Sequence, residues 1–324
     1  MQYRNFGFSG MKVSAFSLGI WRTFGEGVED AAAERILAEA YDSGVNFFDA
    51  AESYGKGKAE EQVGRILKKL KWKRESYAIT SKLSPREVPE YFGVPMMYGL
   101  SRKRISEAVD ASLKRLGLDH IDIFFCHRPY EDTALEDIVI TMNSLIQQGK
   151  IFYWGTSEFS PGQLLKLWEI AKEYKMSPPL VEQTGHNLIG RYRMERDLLP
   201  VFETTRMATM TYCPLRSGKL TGKYLDGQPK DSLRAGQGVA MDEEERGMIV
   251  KLKDLADELG ISLIHLSLAW ILKNPNVSNV ILGASRPGQI HENVKAVDAL
   301  PKLTDDVMDR IEKMLDNHPM KARG

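Results

Sequence analysis

An acid closes the apolar run Asn46-Phe-Phe-Asp49, and a tyrosine, Tyr54, follows within Ala50-Ala-Glu-Ser-Tyr54-Gly-Lys-Gly57. Lys82 closes the next apolar run, Tyr77 to Ser81, and His127 closes the one after it, Ile121 to Cys126. A phenol near its ordinary pKa of about 10 is a poor proton donor at neutral pH, and a neighbouring ammonium lowers that value. A carboxylate beside the ammonium keeps it charged, while an imidazole can orient a carbonyl or share the proton. Together the four suit proton delivery to a carbonyl oxygen as it becomes an alkoxide. Singly, each reads as ordinary: Asp49 as a turn acid, Tyr54 as a surface aromatic, Lys82 as a solvated charge, His127 as a hydrogen-bonded histidine. At the ends of three consecutive strands they read as a site, because charges buried together without a use cost stability.

The elements that would position them repeat along the chain. Apolar runs with strand character fall at Ala15 to Ile20, Val45 to Phe48, Tyr77 to Ser81, Ile121 to Cys126, Ile151 to Gly155, Leu180 to Glu182, Ala208 to Thr211 and Val277 to Leu282. Helical patterns lie between them. In Ser101 to Leu116, Ile105, Val109, Leu113 and Leu116 share a face, Ser101 can cap the start, and Gly117 can end it. Asp30 to Ser43, Lys58 to Lys69, Ala134 to Gln147, Ser160 to Lys172 and Arg191 to Thr204 read the same way. Near-continuous hydrophobicity marks strands covered on both faces, and strand-helix alternation implies a parallel sheet. Eight such units with no composition break predict an α/β fold, a (β/α)8 TIM barrel in a single domain over residues 1–324, ahead of an open doubly wound sheet. An N-terminal β-hairpin, Tyr3 to Phe6 and Met11 to Ser14, should cap one end. Long loops follow strand three (Leu83 to Leu100) and strand seven (Tyr212 to Val277, with helical patterns at Glu243 to Leu259 and Ser262 to Lys273), and a C-terminal helix runs from Thr304 to Leu315.

Composition narrows the partner. Forty-four basic residues balance 44 acidic ones, so no global field favours nucleic acid or an anionic membrane. A small molecule is expected instead. No run approaches the roughly 18 to 20 apolar residues of a membrane span, and Met1-Gln-Tyr-Arg-Asn5 lacks a signal-peptide core, which predicts a cytoplasmic protein. Cys126 and Cys213 make no disulfide framework, and neither Cys-x-x-Cys nor His-Glu-x-x-His metal spacing is present. No metal is expected.

In a parallel barrel the strand ends converge on one face. Here the closing residues are Trp21, Asp49, Lys82, His127, Ser157, Gln183, Tyr212 and Ser285. With no Gly-x-Gly-x-x-Gly fingerprint, a hydride-donating nucleotide has to be held by the barrel itself. Ser157 and Gln183 can bond a nicotinamide carboxamide, and Tyr212 can stack on the ring. In Pro214-Leu215-Arg-Ser-Gly218-Lys219-Leu-Thr-Gly222-Lys223, glycines permit close backbone approach and lysines complement a pyrophosphate. Trp21, Phe24 and Tyr54, with Tyr91, Phe92 and Met96 from the third loop, are expected to wall a pocket for an apolar or aromatic aldehyde or ketone.

The chain resembles the aldo-keto reductases. Asn46-Phe-Phe-Asp49-Ala-Ala-Glu-Ser-Tyr54-Gly, Thr80-Ser-Lys82, Ser112-Leu-Lys-Arg-Leu-Gly117-Leu-Asp-His-Ile-Asp122 and Leu282-Gly-Ala-Ser-Arg286 are similar to that family's signature blocks, in order, over almost the whole chain. The resemblance implies that Asp49, Tyr54, Lys82 and His127 form the catalytic tetrad, with Tyr54 as general acid, Trp21 on the cofactor side, and NADP(H) as cofactor. It implies further that the segment from Gly283 binds the cofactor, Ser285, Arg286 and Gln289 holding the adenosine 2′-phosphate, and Glu292 and Asn293 the adenine. Tyr3-Arg-Asn5, Gly99-Leu-Ser-Arg-Lys103 and Tyr153-Trp-Gly-Thr-Ser157 resemble the branch containing potassium-channel β subunits. Two positions depart. Those subunits generally carry asparagine where this chain has His127, and the wider family asparagine where it has Glu158. An NADPH-dependent carbonyl reductase is therefore expected first, an NADP(H)-binding auxiliary subunit second, and a Schiff-base enzyme using Lys82 third. Homo-oligomer formation is left open.

Overall fold

A computed structural model describes residues 1–85, 95–227 and 239–319. Its centre is a closed parallel barrel of eight strands: β3 (Phe16–Gly19), β4 (Phe47–Asp49), β5 (Ala78–Leu83), β6 (Ile121–Cys126), β7 (Ile151–Ser157), β8 (Val181–Gly185), β9 (Ala208–Tyr212) and β10 (Asn279–Gly283), with β10 returning to pair with β3. All eight sequence-predicted runs are barrel strands. The two-residue period of a strand divides their side chains between two cores. Phe47, Ile123, Phe125, Val181, Met210 and Ile281 pack inside the barrel. Phe16, Leu18, Phe48, Ile79, Phe124 and Trp154 pack outward against helices.

Helices α1 (Asp30–Asp42), α2 (Lys58–Leu70), α3 (Arg102–Leu116), α4 (Leu135–Gln147) and α5 (Pro161–Glu173) follow the first five barrel strands. Their limits are set locally. The Ser101 hydroxyl accepts from the Arg104 amide at 3.2 Å, and Gly117 ends α3 in the left-handed conformation at φ 65°. The predicted helix Arg191 to Thr204 is broken. A π-type turn at Arg193–Asp197 precedes the short α6 (Leu199–Thr205), because Pro200 has no amide hydrogen to continue a helix and is tolerated only in a first turn. Helices α7 (Glu243–Glu258) and α8 (Leu263–Lys273) occupy the long connection before β10, and α9 (Gln289–Val294) and α10 (Asp305–Leu315) complete the chain. Among the described residues no single helix is long and apolar enough to cross a membrane.

The N-terminal strands β1 (Tyr3–Asn5) and β2 (Lys12–Ser14) pair as the predicted hairpin. Its turn residue Phe6 is fully buried inside the barrel, edge-on to Phe47 at 5.3 Å. Phe47, Val181 and Ala208 lie at strand starts, so the hairpin closes that end. The opposite mouth is left for chemistry.

Candidate active site

Strand register brings the four sequence-predicted groups together at that mouth. Asp49 ends β4 level with Thr80 of β5, and Lys82 sits two residues further along β5, so both side chains point to the barrel axis. Lys82 Nζ donates to Asp49 Oδ2 at 2.7 Å, to the Ala50 carbonyl at 2.6 Å and to the Tyr54 hydroxyl at 3.3 Å. Asp49 Oδ1 accepts from Thr80 at 2.8 Å and from Gln183 Nε2 at 3.0 Å. Tyr54 arrives through a turn in which Gly55, Lys56 and Gly57 have φ of 54°, 60° and 83°. Three successive positive φ values are affordable because two of the residues are glycine. The His127 amide continues the ladder by donating to Leu83 O at 2.9 Å, and its ring stands edge-on to Tyr54 at 6.0 Å.

The electrostatics differ from the expectation that Lys82 lowers the tyrosine pKa. Burial, then the Asp49 carboxylate, pushes the Tyr54 hydroxyl well above its ordinary value, and Arg128 opposes them. The nearest cation is largely cancelled by its own carboxylate. Burial pulls the Lys82 ammonium down, with Asp49 acting to hold it up. His127 is pushed well below its ordinary value by burial, then by Lys82 and Arg128, which leaves a neutral imidazole at neutral pH. The site therefore presents a protonated phenol and a neutral imidazole, both fit to donate hydrogen bonds to a carbonyl oxygen.

The predicted cofactor side is partly assembled. Ser157 at the end of β7 and Gln183 in the middle of β8 are buried and level with each other. Gln183 gives one hydrogen to Asp49, which leaves its carbonyl oxygen to accept from an amide. The Tyr212 ring lies against Gly185, where a Cβ would come within 3.4 Å of it. That contact makes a flat wall. Gly218, at φ 90°, lies beside Lys223, with a Cβ there reaching 3.3 Å from Lys223 Cε. Pro214 is buried and Leu215 packs on the core. Lys219 is bound to Glu245, so Lys223, which is exposed, is the lysine left for a phosphate. Gln289 Oε1 accepts from the Ser285 amide at 2.7 Å and the Arg286 amide at 3.2 Å, which shapes the loop after the exposed Gly283. Arg286 is exposed and makes no ion pair among the described residues. Helix α9 is six residues long, so a phosphate there would rely on Arg286 and the loop rather than on a helix terminus. Glu292 is exposed and Asn293 buried. An acceptor and a hydroxyl for a carboxamide, a flat aromatic wall, and the exposed cations Lys223 and Arg286 in the loops after β9 and β10 fit a phosphorylated nicotinamide dinucleotide.

Of the expected pocket walls, Trp21 is 48% exposed and its ring lies 6.4 Å from that of Tyr54. Phe24 is a correction. Its amide donates to Ile20 O at 3.2 Å, and this tight turn sends the ring into the outer core, where it is fully buried. Tyr91 and Phe92 lie outside the described residues, and Met96 is exposed. Three further residues act at the mouth without having been singled out. Thr80 bonds Asp49. Arg128 Nη1 donates to the His127 carbonyl at 2.6 Å and to Ser157 Oγ at 2.8 Å. Glu52, two positions before Tyr54, is buried against Arg104. The doubtful Glu158 sits at φ 61°, accepts from the Tyr212 hydroxyl at 3.0 Å and from Thr184 at 3.1 Å, and pairs with Arg193 at 3.3 Å. A charged residue directly after a strand-end histidine was the one available sign of Arg128.

An eight-stranded parallel barrel whose mouth gathers Asp49, Tyr54, Lys82 and His127 defines a class. The Aldo/keto reductase family profile matches residues 15–316, and the chain belongs to that family, whose members are NADPH-dependent oxidoreductases. Among curated relatives, a probable voltage-gated potassium channel subunit beta of Arabidopsis thaliana is 42% identical, covering 99% of this chain and 98% of its own length. One of the same description from Oryza sativa subsp. japonica is 41% identical over 99% of both chains. A putative voltage-gated potassium channel subunit beta of Schizosaccharomyces pombe is 40% identical, covering 99% of this chain and 95% of its own length.

Proposed function

We propose that this protein is a cytoplasmic NADPH-dependent reductase that converts an aldehyde or ketone to an alcohol. The observation that carries the reading is one buried ammonium bonded at once to the Asp49 carboxylate and the Tyr54 hydroxyl. When bound, the reduced nicotinamide supplies the hydride. Tyr54 and neutral His127 orient the carbonyl oxygen, and Tyr54 gives it a proton as negative charge develops there. A phenol is intrinsically a far stronger acid than an alcohol, which suits it to protonate a developing alkoxide. Lys82 then stabilises the phenolate, and Asp49 keeps Lys82 charged and aimed. Ser157, Gln183 and Tyr212 seat the nicotinamide; Lys223 and Arg286 complement the phosphates, which supports NADP(H) over NAD(H).

Tyr54→Phe is expected to lower turnover of an aldehyde panel, followed by NADPH absorbance, by at least ~100-fold, with NADPH affinity nearly unchanged. A fully active variant overturns the assignment. The names of the three relatives favour a second reading, an NADP(H)-binding auxiliary subunit of a channel. Negligible turnover by the native protein across the panel, with tight NADPH binding and a stable multimeric ring, would select it. His127 supports the enzyme, since the channel-subunit branch generally has asparagine there.

A further inference from the structure

Arg128 stands out once the charges at the mouth are paired off. Asp49 and Lys82 neutralise each other at 2.7 Å. Glu158 pairs with Arg193 at 3.3 Å, while Glu182, 3.2 Å from the same guanidinium, is kept mostly uncharged at neutral pH by burial, which pushes its carboxyl up to about 8. Arg128 has no carboxylate partner among the described residues, and of its guanidinium nitrogens only Nη1 is bonded, to two neutral oxygens. It is half-buried. Its positive charge bears on Tyr54, Lys82, His127 and Tyr212 together, so it stands over the mouth rather than outside it. A cation held in that place with Nε and Nη2 unspent is arranged for an anion presenting two oxygens.

Topology says which anion. In the closed strand order β10-β3-β4-β5-β6-β7-β8-β9, β6 lies diametrically across from β10, four strands away in either direction. The loop after β10 carries Arg286, and the loop after β9 carries Lys223; these are the groups read above as phosphate partners. Arg128 follows β6 next to His127, whose ring lies 6.0 Å from that of Tyr54, and its bond to Ser157 of β7 puts it by the nicotinamide end of the cofactor, which carries no phosphate. Its anion therefore belongs to the molecule whose carbonyl meets Tyr54 and His127. We propose that Arg128 binds a carboxylate of the substrate, and that this protein acts on carbonyl compounds carrying a carboxylate, such as oxo acids and formyl acids. The substrate's charge completes the balance of the mouth and turns its carbonyl towards Tyr54.

This inference rests on the carbonyl-reductase reading, and its test separates the two. The holoprotein is assayed with NADPH on a matched pair, 4-formylbenzoate and benzaldehyde, and the NADP⁺ complex is titrated calorimetrically with benzoate and with benzamide. The native protein should favour 4-formylbenzoate in kcat/KM by at least ~10-fold, mainly through KM, and bind benzoate at least ~10-fold more tightly than benzamide. With cofactor at saturation, Arg128→Gln should bring both ratios close to one; Arg128→Lys should restore part of the preference. If Arg128 served only to brace Ser157 and His127, the variant would depress both aldehydes alike and leave the ratio intact, which overturns the proposal. Equal native binding of benzoate and benzamide also overturns it. Benzoate binding that is lost in Arg128→Gln, with no native turnover of either aldehyde, keeps the anion site and removes the reductase reading.

Discussion

Two ion pairs are buried on either side of the turn that carries Tyr54, and they do different things. Asp49–Lys82 faces the barrel axis, with side chains 4% and 0% exposed; Glu52–Arg104 lies outside the barrel against α3, at 3% and 2%. Both charges of each pair have lost water, so each pair needs further hydrogen bonds to offset that loss. Lys82 finds one of them in a phenol that can itself gain or lose a proton. Around Glu52–Arg104 backbone groups serve among the described residues: the Ser84 amide donates to Glu52 Oε1 at 3.1 Å, and Arg104 Nε donates to the Met97 carbonyl at 3.1 Å. Gly99 bonds Pro85 O at 2.8 Å nearby, so this pair fastens both ends of the third loop to the Tyr54 turn. Burial and charge are the same in the two. What separates chemistry from fastening is whether the third partner titrates.

The comparison is broken most severely at Lys82. Lys82→Met should reduce carbonyl turnover by about 10³-fold or more in NADPH-absorbance assays, while denaturant melts show a loss of ~3 kcal/mol from the stranded Asp49 carboxylate. Arg104→Met should cost a similar ~3–5 kcal/mol in the same melts, yet folded protein should keep turnover within about tenfold. A collapse of turnover without a loss of stability would reverse the roles assigned to the two pairs. Replacing both partners, Glu52→Leu with Arg104→Met, should recover only part of the single-variant loss. The Ser84 amide and Met97 carbonyl remain without partners, at ~1–3 kcal/mol each. Glu182 gives the smallest effect. Despite Arg193 at 3.2 Å, burial pushes its carboxyl up to about 8. The folded protein then binds more protons than the unfolded chain between pH 4.5 and about 8, so Glu182 contributes a Tm that falls as pH rises through that window. Glu182→Gln should flatten that slope in thermal melts.

Strand order, the hairpin and the convergence of Asp49, Tyr54, Lys82 and His127 at one mouth were legible because they follow from periodicities and from residues that close apolar runs. Asp49, Lys82 and His127 each lie at or beside the C-terminal end of a strand, and strand parity points Asp49 and Lys82 to the barrel axis. The sign of the Tyr54 shift was not legible. It depends on how completely Asp49 cancels Lys82 and on full burial of the phenol, both of which are distances rather than residue types. Phe24 was misassigned because an aromatic after a strand end can face the mouth or fold beneath it, and a single backbone bond to Ile20 decides. Arg128 and Glu52 were passed over because their neighbours His127 and Tyr54 already accounted for their motifs. Their partners, Ser157 and Arg104, come from elements 29 and 52 residues away.

The floor of the barrel has a consequence for the order in which the molecule is made. Arg4 donates to the carbonyls of Leu272 and Val277, partners 268 and 273 residues further along. Phe6 fills a space bounded by strands β4, β6, β8, β9 and β10. The hairpin therefore has no seat until β8, β9 and β10, far later in the chain, have been synthesised, and contacts of such sequence separation are slow to form. Its apolar residues are expected to stay uncovered while the rest of the barrel assembles, which puts docking of β1 and β2 late in folding.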